Sequence, residues 1–428
     1  MPNLSRRDFL KLGGLSLAVT MNPLSQFAIQ AQDESLSIQT WGHFISTTNE
    51  QLSEQLNLWS TITDISLDVS FTGFEDLATS LEESDETQTP DIIMMLHARP
   101  HQFADNLMDV SDIAEAVGRA NGGWYNIARE ACEVDGVWRA MPWFFAPQAM
   151  VYRSDLYAEA GYDAFPSTME ELLEAGTTLK TMEYPLGFSV GPADGDGNNF
   201  CLTVLWSFGG NIVNPDNEIV LDSPETRLAL EFVQQLYQDA MLPEVVSWDD
   251  GANNTAFLAG EISTTNNASS ILWAAQQNDV AFASTINHAS YPEGPAGSIQ
   301  YGQVHSFGIL NHTQNVDAAK SLLTFLNSVD VWLPMGSESF GFNYPLFRNF
   351  EDLPSMAWNL EPQLLGLREI VASAHTAGYP APPSAAASQV ISDFVITDMF
   401  ASVCNGDATI DEAIQTAVTR VEDLYDNA

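Results

Sequence analysis

Three short stretches of this chain carry residue types at spacings that chemistry uses. GFSVG at 187–191 matches the GxSxG pattern, in which a serine held at a sharp strand-to-helix turn attacks a carbonyl, and it nominates Ser189. That geometry needs a helix directly after the serine. Pro192, Gly195 and Gly197 follow instead, a run that predicts a loop across 191–199, and no HGGG-type oxyanion segment is present. Ser189 is therefore expected to end a strand, with a secreted hydrolase kept as the remote alternative. DGDGNN, 194–199, sets Asp194, Asp196 and Asn198 at alternate positions, as a calcium loop does. Its sixth position is Asn199 instead of glycine and its twelfth is Leu205 instead of glutamate, which excludes an EF-hand and leaves a polar loop at a cleft edge or a looser calcium site. His97 and His101 have the spacing of two ligands on one helix face, but Pro100 lies between them and no HExxH occurs. Among 57 acidic residues a carboxylate pair for glycoside hydrolysis carries no positional signal. No cofactor or metal is expected.

What recurs is an aromatic residue beside a polar one or another aromatic: Trp41 with His43, Trp143 with Phe144 and Phe145, Asn199 with Phe200, Trp248 with Asp249, and Asn343 with Tyr344. Aromatic faces stack on the apolar faces of sugar rings, while amides and carboxylates hydrogen-bond their hydroxyls. The shared placement of these pairs next to strand ends and loops suggests a site for a neutral polyol.

Those positions rest on a recognisable order of elements. LSIQTW is a short strand ending in Trp41, ISLDVSF alternates Ile65, Leu67, Val69 and Phe71 with polar residues, and PDIIMML is the near-continuous apolar run of a strand covered on both faces, as in a parallel sheet. A helix over 49–60 between the first two makes the opening βαβαβ-like. HSFGIL at 305–310 is a further strand, followed by a helix with Ala319, Leu322, Leu323 and Leu326 on one face. Ser167 with Glu170 and Thr409 with Glu412 fit the capping box, and Ser223 before Pro224 fits an N-cap. Strands and helices alternating in two separated runs imply an α/β fold with two lobes.

Composition bounds the partners. Arg6 and Arg7 side by side, followed by the apolar run 12–27, read as a twin-arginine signal ending near residue 32, and no later segment offers a long apolar run. The formal charge of −43, with only Lys180 and Lys320 as lysines beyond the signal, excludes nucleic acid and anionic membranes as partners and suits a saline habitat, where self-repulsion is screened. Cys132, Cys201 and Cys404 show no CxxC spacing, so neither zinc nor a disulfide scaffold is implied.

Taken in order, the motifs resemble the extracellular solute-binding proteins of carbohydrate ABC transporters, the group that includes maltose-binding protein. PDIIMMLHARP is similar to the family's PDI segment. DGVWRAMPWFFAPQAMVYRSDLYAEAGYDAFPSTMEELLEAGTTL is similar to its longest shared stretch, through Tyr152, Asp155, Leu156, Ala160, Gly161, Pro166, Thr168, Met169, Glu170 and Glu171. FGGNIVNPDNEIVLDSPETRLALEFV, AFLAGEIST, VDAAKSLLTFL and NGDATIDEAIQTAVTRVEDLY continue the family order to the C-terminus.

The resemblance implies a two-lobed periplasmic-binding-protein fold, type II-like, with hinge crossings and an interlobe cleft. It puts lobe one at about 33–145 plus 304–343 and lobe two at about 146–303 plus 344–428. It further implies a monomer outside the cytoplasm that closes over a sugar or oligosaccharide and hands it to the permease of an ABC transporter. Trp41, His43, Met95, His97 and Trp143, Phe144 and Phe145 are then expected at the cleft, faced by Asn199, Phe200, Asn266 and Asn267. The aromatic pattern adds Trp248, Asp249 and Tyr344. Met95 stands where maltose-binding protein has an aromatic, and that protein's C-terminal stacking tryptophan is replaced near Asp393, so a ligand other than maltodextrin is expected. A polyamine, read by Asp249, Asp194 and tryptophan faces, is the rival solute, and a sensor or adhesion module is a third reading.

Overall fold

The computed structural model describes residues 35–82 and 89–427. The arginine pair and the apolar run behind it lie outside the described residues. The main strands, in chain order, are β1 (Ser35–Trp41), β2 (Ser66–Thr72), β3 (Ile92–Leu96), β4 (Met141–Ala146), β5 (Ala149–Arg153), β6 (Thr264–Asn267), β7 (Ile286–Ala289), β8 (Gln303–Ile309) and β9 (Tyr344–Pro345).

Six of them form one sheet in the order β9-β4-β8-β3-β1-β2. β1 runs parallel to both β2 and β3, with Ile38 opposite Val69 and Ile92. All five residues of β3 are buried, which its unbroken apolar run requires. The sheet is mixed, however, where a parallel one was expected, because β8 returns antiparallel between β3 and β4. A second, three-stranded sheet holds β5 between β6 and β7, all antiparallel.

Two short crossings join the sheets. Pro147 and Gln148 are all that separates β4 from β5, and Gly302 separates the short strand Gln300–Tyr301 from β8. A Cβ on Gly302 would sit 2.5 Å from Ile127 and 2.7 Å from Phe145, so the second crossing is pressed onto the first lobe. The third passage differs from the boundary expected at 343/344. Tyr344 and Pro345 pair with Phe145 and Phe144 and complete the first sheet. The chain reaches the second lobe only in the 3-10 turns of Pro362–Ala372, where Gly366 comes so close to β7 that a Cβ would meet the His288 carbonyl oxygen at 2.6 Å.

The helices follow their apolar stripes. The first is longer than 49–60, running Ser46–Thr63 and burying Leu52, Leu56 and Trp59. Ser223 caps Pro224–Ala240 by accepting from the Thr226 N–H at 3.1 Å, and Thr409 with Glu412 closes a reciprocal box at the head of Ile410–Asp426. The other expected box is displaced by one residue, to Thr168 and Glu171. Ser167 is held outside the helix because its carbonyl accepts from the Glu293 N–H at 2.8 Å.

One stretch, Ala385–Asn405, has the length and apolarity of a membrane span, where no long apolar run beyond the signal was expected. It is two helices, Ala385–Ser392 and Val395–Asn405, broken at Phe394 (φ 55°), and its apolar residues pack inside the protein against the helices at 224–240 and 410–426. The three cysteines are free and buried.

Candidate functional site

The crossings bring two unlike walls face to face around a narrow cavity of about 20 Å³, so the lobes are nearly shut on one another. From the first lobe come Trp41, Phe44, Phe74, Phe342, Gln303 and His305, and from the crossing and the second lobe come Gln148, Gly195, Asp196, Asp250 and Asn267.

Trp41 reaches the cavity because it is the C-terminal residue of β1. Its ring stacks on Phe74 (4.7 Å, 21°), meets Phe44 edge-on (5.1 Å) and lies 5.7 Å from Phe342. Gln303 and His305, two residues apart on β8, point to the same side of the sheet. The His305 ring is stacked on Phe144 at 4.1 Å, and burial, with His97 and His43 nearby, holds it neutral. His43 sits one layer behind: its Nδ1 accepts from the Ile45 N–H, which leaves Nε2–H to donate to Asn343 at 3.0 Å. Burial drives its pKa down to about 3.

The opposite wall is built on a helix start that the sequence disguised. The glycines of 191–199 predicted a loop, yet Asp196–Ser207 is helical. Gly197 is there for space, since a Cβ would lie 2.3 Å from the Gly191 carbonyl oxygen. The helix has no side-chain cap of its own. Asp250 supplies one from a distance, accepting from the N–H groups of Gly195 (3.0 Å) and Asp196 (2.8 Å). The Asp196 carboxylate accepts from Gln148 Nε2 (3.0 Å) and Asn253 Nδ2 (2.7 Å), and Asn266 donates to the Asp196 carbonyl (2.9 Å). Burial pushes both acids up: Asp196, with the Asp250 charge adding to it, well above the usual carboxylate range, and Asp250, with Asp194 adding to it and the N–H groups it accepts from opposing it, to about 6.

At the inner edge the lobes are tied by charge. Asp194 of the second lobe lies 3.4 Å from Arg99 Nη2 and 3.4 Å from His97 Nε2 of the first. His97 follows β3 at φ 56°, in the left-handed region that few residues other than glycine adopt, and its Nδ1 meets the Tyr301 hydroxyl of the crossing at 2.7 Å. Burial works to raise the Asp194 carboxyl, but His97 and Arg99 outweigh it and hold it at about 2.

Of the residues expected from the sequence, Trp41 and Asn267 line the cavity, His43 and Phe144 back it, His97 ties its edge, and Asn266 braces Asp196. The others lie elsewhere. Met95 is a core residue of β3, Trp143 packs between Phe307 and Trp332, Phe145 meets Tyr344 edge-on, and Phe200 stacks on Phe188. Tyr344 stacks on Trp358 and donates to Glu351. Asn199 is spent between the Tyr301 carbonyl and the Tyr291 hydroxyl. Trp248 and Asp249 line a separate groove on the second lobe with Glu244 and Glu261, while the next residue, Asp250, takes the cavity position. Ser189 is fully buried and donates to the Trp248 carbonyl at 3.2 Å. The alternating acids of 194–198 do not converge: Asp194 pairs with Arg99, Asp196 with amides, and Asn198 donates to the carbonyls of Asp194 and Ile391. Among the described residues no group of three or more His, Cys, Asp or Glu side chains is placed to hold a metal.

Residues 47–331 match the family model described as bacterial extracellular solute-binding protein. The chain belongs to that family. Curated relatives of this solute-binding protein include a probable ABC transporter-binding protein of Deinococcus radiodurans, 28% identical over 215 residues, 48% of this chain and 50% of that protein. A putative binding protein of Brucella abortus is 24% identical over 212 residues, 49% of this chain and 51% of its own length. The chain thus spans about half the length of the curated relatives it matches. Among solved structures, maltose-bound MalE3 of T. maritima superposes with a TM-score of 0.79 at 23% identity, covering 91% of this chain and 99% of that one. The GacH receptor of Streptomyces glaucescens, solved unliganded and with acarbose, gives 0.77 at 17% identity, covering 92% and 99%. These likenesses show the two-lobed α/β fold of MalE-like binding proteins.

Proposed function

We propose that this solute-binding protein closes its two lobes over a sugar or oligosaccharide and delivers it to the permease of an ABC transporter. The observation that carries this reading is the pair of walls at the crossings: an aromatic wall led by Trp41 faces a wall of amides and carboxylates, and once the lobes part to admit it a ring can stack on one side while its hydroxyls are bonded from the other. The ligand contacts both walls only when the lobes are together, and this is how it selects the closed state. That neighbours of the same fold hold maltose and acarbose supports a carbohydrate. Ser189, the serine that the GxSxG pattern nominates, is sealed in the second lobe and does not face the cavity, which favours binding over acyl transfer.

The test is the thermal midpoint in molar salt against a panel of mono- and oligosaccharides. A sugar present at 100 times its Kd is expected to add about 2.7 kcal/mol and to be recovered unchanged. No response to any sugar, or recovery of a cleaved one, would overturn the reading. The protein acts as a monomer outside the cytoplasm. Export by the twin-arginine route is inferred from Arg6 and Arg7, and replacing both by lysine is expected to abolish it, measured as protein retained inside the cell; full export of the double variant would sink the route.

A further inference from the structure

The polar wall has committed most of its donors, with one N–H of Gln148 Nε2 remaining. Gln148 Nε2 and Asn253 Nδ2 are committed to Asp196, and Asn267 Nδ2 donates to Asn254 Oδ1 at 2.6 Å. What this wall still offers is mainly acceptors: the carboxylates of Asp196 and Asp250, and Gln148 Oε1, which is buried and has no partner. An ammonium is three donors and no acceptor, the complement of such a set.

Charge points the same way. Arg99 and His97, the nearby basic side chains, are engaged with Asp194, and no ion pair among the described residues reaches Asp196 or Asp250. The helix start that Asp250 caps carries only about half a positive charge, too little for two carboxylates. Across the cavity stand Trp41, Phe74 and Phe342, and aromatic faces attract a cation as well as stacking on a sugar. The first lobe also keeps Gln303 and His305, whose Nδ1 is buried without a partner, for groups that are not charged.

We propose that the solute held in this cleft carries a protonated amine, an amino sugar in place of a neutral one, with the ammonium between the Asp196 and Asp250 carboxylates and the aromatic wall and a ring hydroxyl toward Gln303 and His305. This rests on the sugar-binding reading. It also explains why two acids are buried together without a cation of their own. In the free protein the pair is placed to keep a proton, given Asp194, His97, Arg99 and His305 around it, and the incoming ammonium takes that proton's place. Affinity for the amine therefore rises as pH increases through about 6, where Asp250 titrates.

The experiment is titration calorimetry of the protein in molar salt with glucosamine, glucose and N-acetylglucosamine, with their β-1,4 dimers, and with spermidine, at pH 5 and pH 7. The free amines are expected to bind about 30-fold more tightly than the neutral or acetylated sugars, the size of a desolvated charged contact. They should gain affinity between pH 5 and pH 7, and Asp250→Asn should cost them about tenfold more than it costs the neutral sugars. The asparagine keeps an acceptor for the helix start, and the pH series on the unaltered protein needs no variant at all. A neutral sugar binding as tightly as its amine overturns the amine and leaves the sugar reading standing. Spermidine binding while every sugar is silent overturns the amino sugar and the sugar reading together. Silence from every amine overturns the proposal.

Discussion

Asp194→Ala is expected to shift the protein from closed to open lobes by about 3–5 kcal/mol, the cost of breaking a buried ion pair from one side. Asp194 is about one-tenth exposed and is the carboxylate that both Arg99 and His97 reach across the cleft. Without it Arg99 would stay buried with one guanidinium nitrogen, Nη1, already unpartnered, and opening is the movement that returns it to water. The cost therefore falls mainly on closure, with each lobe keeping its own core. Small-angle scattering should report a larger radius of gyration, and an unchanged radius would refute the role. The same group makes a pH prediction. Its folded pKa, about 2, lies below an unfolded value near 3.9, so its contribution is fully present above about pH 4 and is lost as pH falls toward 2. The unaltered protein should open over that interval. Asp194→Ala should lack the transition. Because the pair is buried, molar salt should leave both results in place.

How much of this was legible from residues alone depended on what each signal reports. Periodicity reports burial, so the β3 run and the stripe of the 316–326 helix were readable, as were the caps at Ser223 and Thr409, whose chemistry is local. Strand direction is not local, and nothing in HSFGIL says that β8 runs against its neighbours. The start of Asp196–Ser207 was hidden because its glycines serve close packing and its cap comes from Asp250, far along the chain. The cleft was half visible. Trp41 sits at the end of a strand that the sequence delimits, and Gln303 with His305 obeys the alternation of a strand, a signal that was present and unused. Asp196 and Asp250 had no such mark among 57 acids. Trp143, Phe145 and Phe200 look from their neighbours like binding aromatics, but a buried ring against other rings and one against a cavity share the same sequence pattern.

Two tryptophans separate those cases. Trp143 is fully buried, with Phe307 at 6.0 Å and Trp332 at 5.2 Å, and Trp143→Ala should cost about 3–5 kcal/mol of stability through the cavity it leaves. Molecules that still fold should bind their sugar with unchanged affinity, since the ring never reaches the cleft. Trp41→Ala should differ in its binding. Removing a ring that forms one face of the site and holds Phe74 in place is expected to weaken binding by about 2 kcal/mol, roughly 30-fold, the loss typical of a central aromatic anchor. Its stability cost should also be several kcal/mol, because the ring is buried among His43, Phe44, Phe74, His305 and Phe342, so the loss of binding is what separates the two variants. Urea midpoints give the first quantity and calorimetry on the folded fraction gives the second. If Trp143→Ala weakened binding while Trp41→Ala left it intact, the ligand would have to sit on the far side of the first sheet, and the cavity at the crossings would lose its claim to be the site.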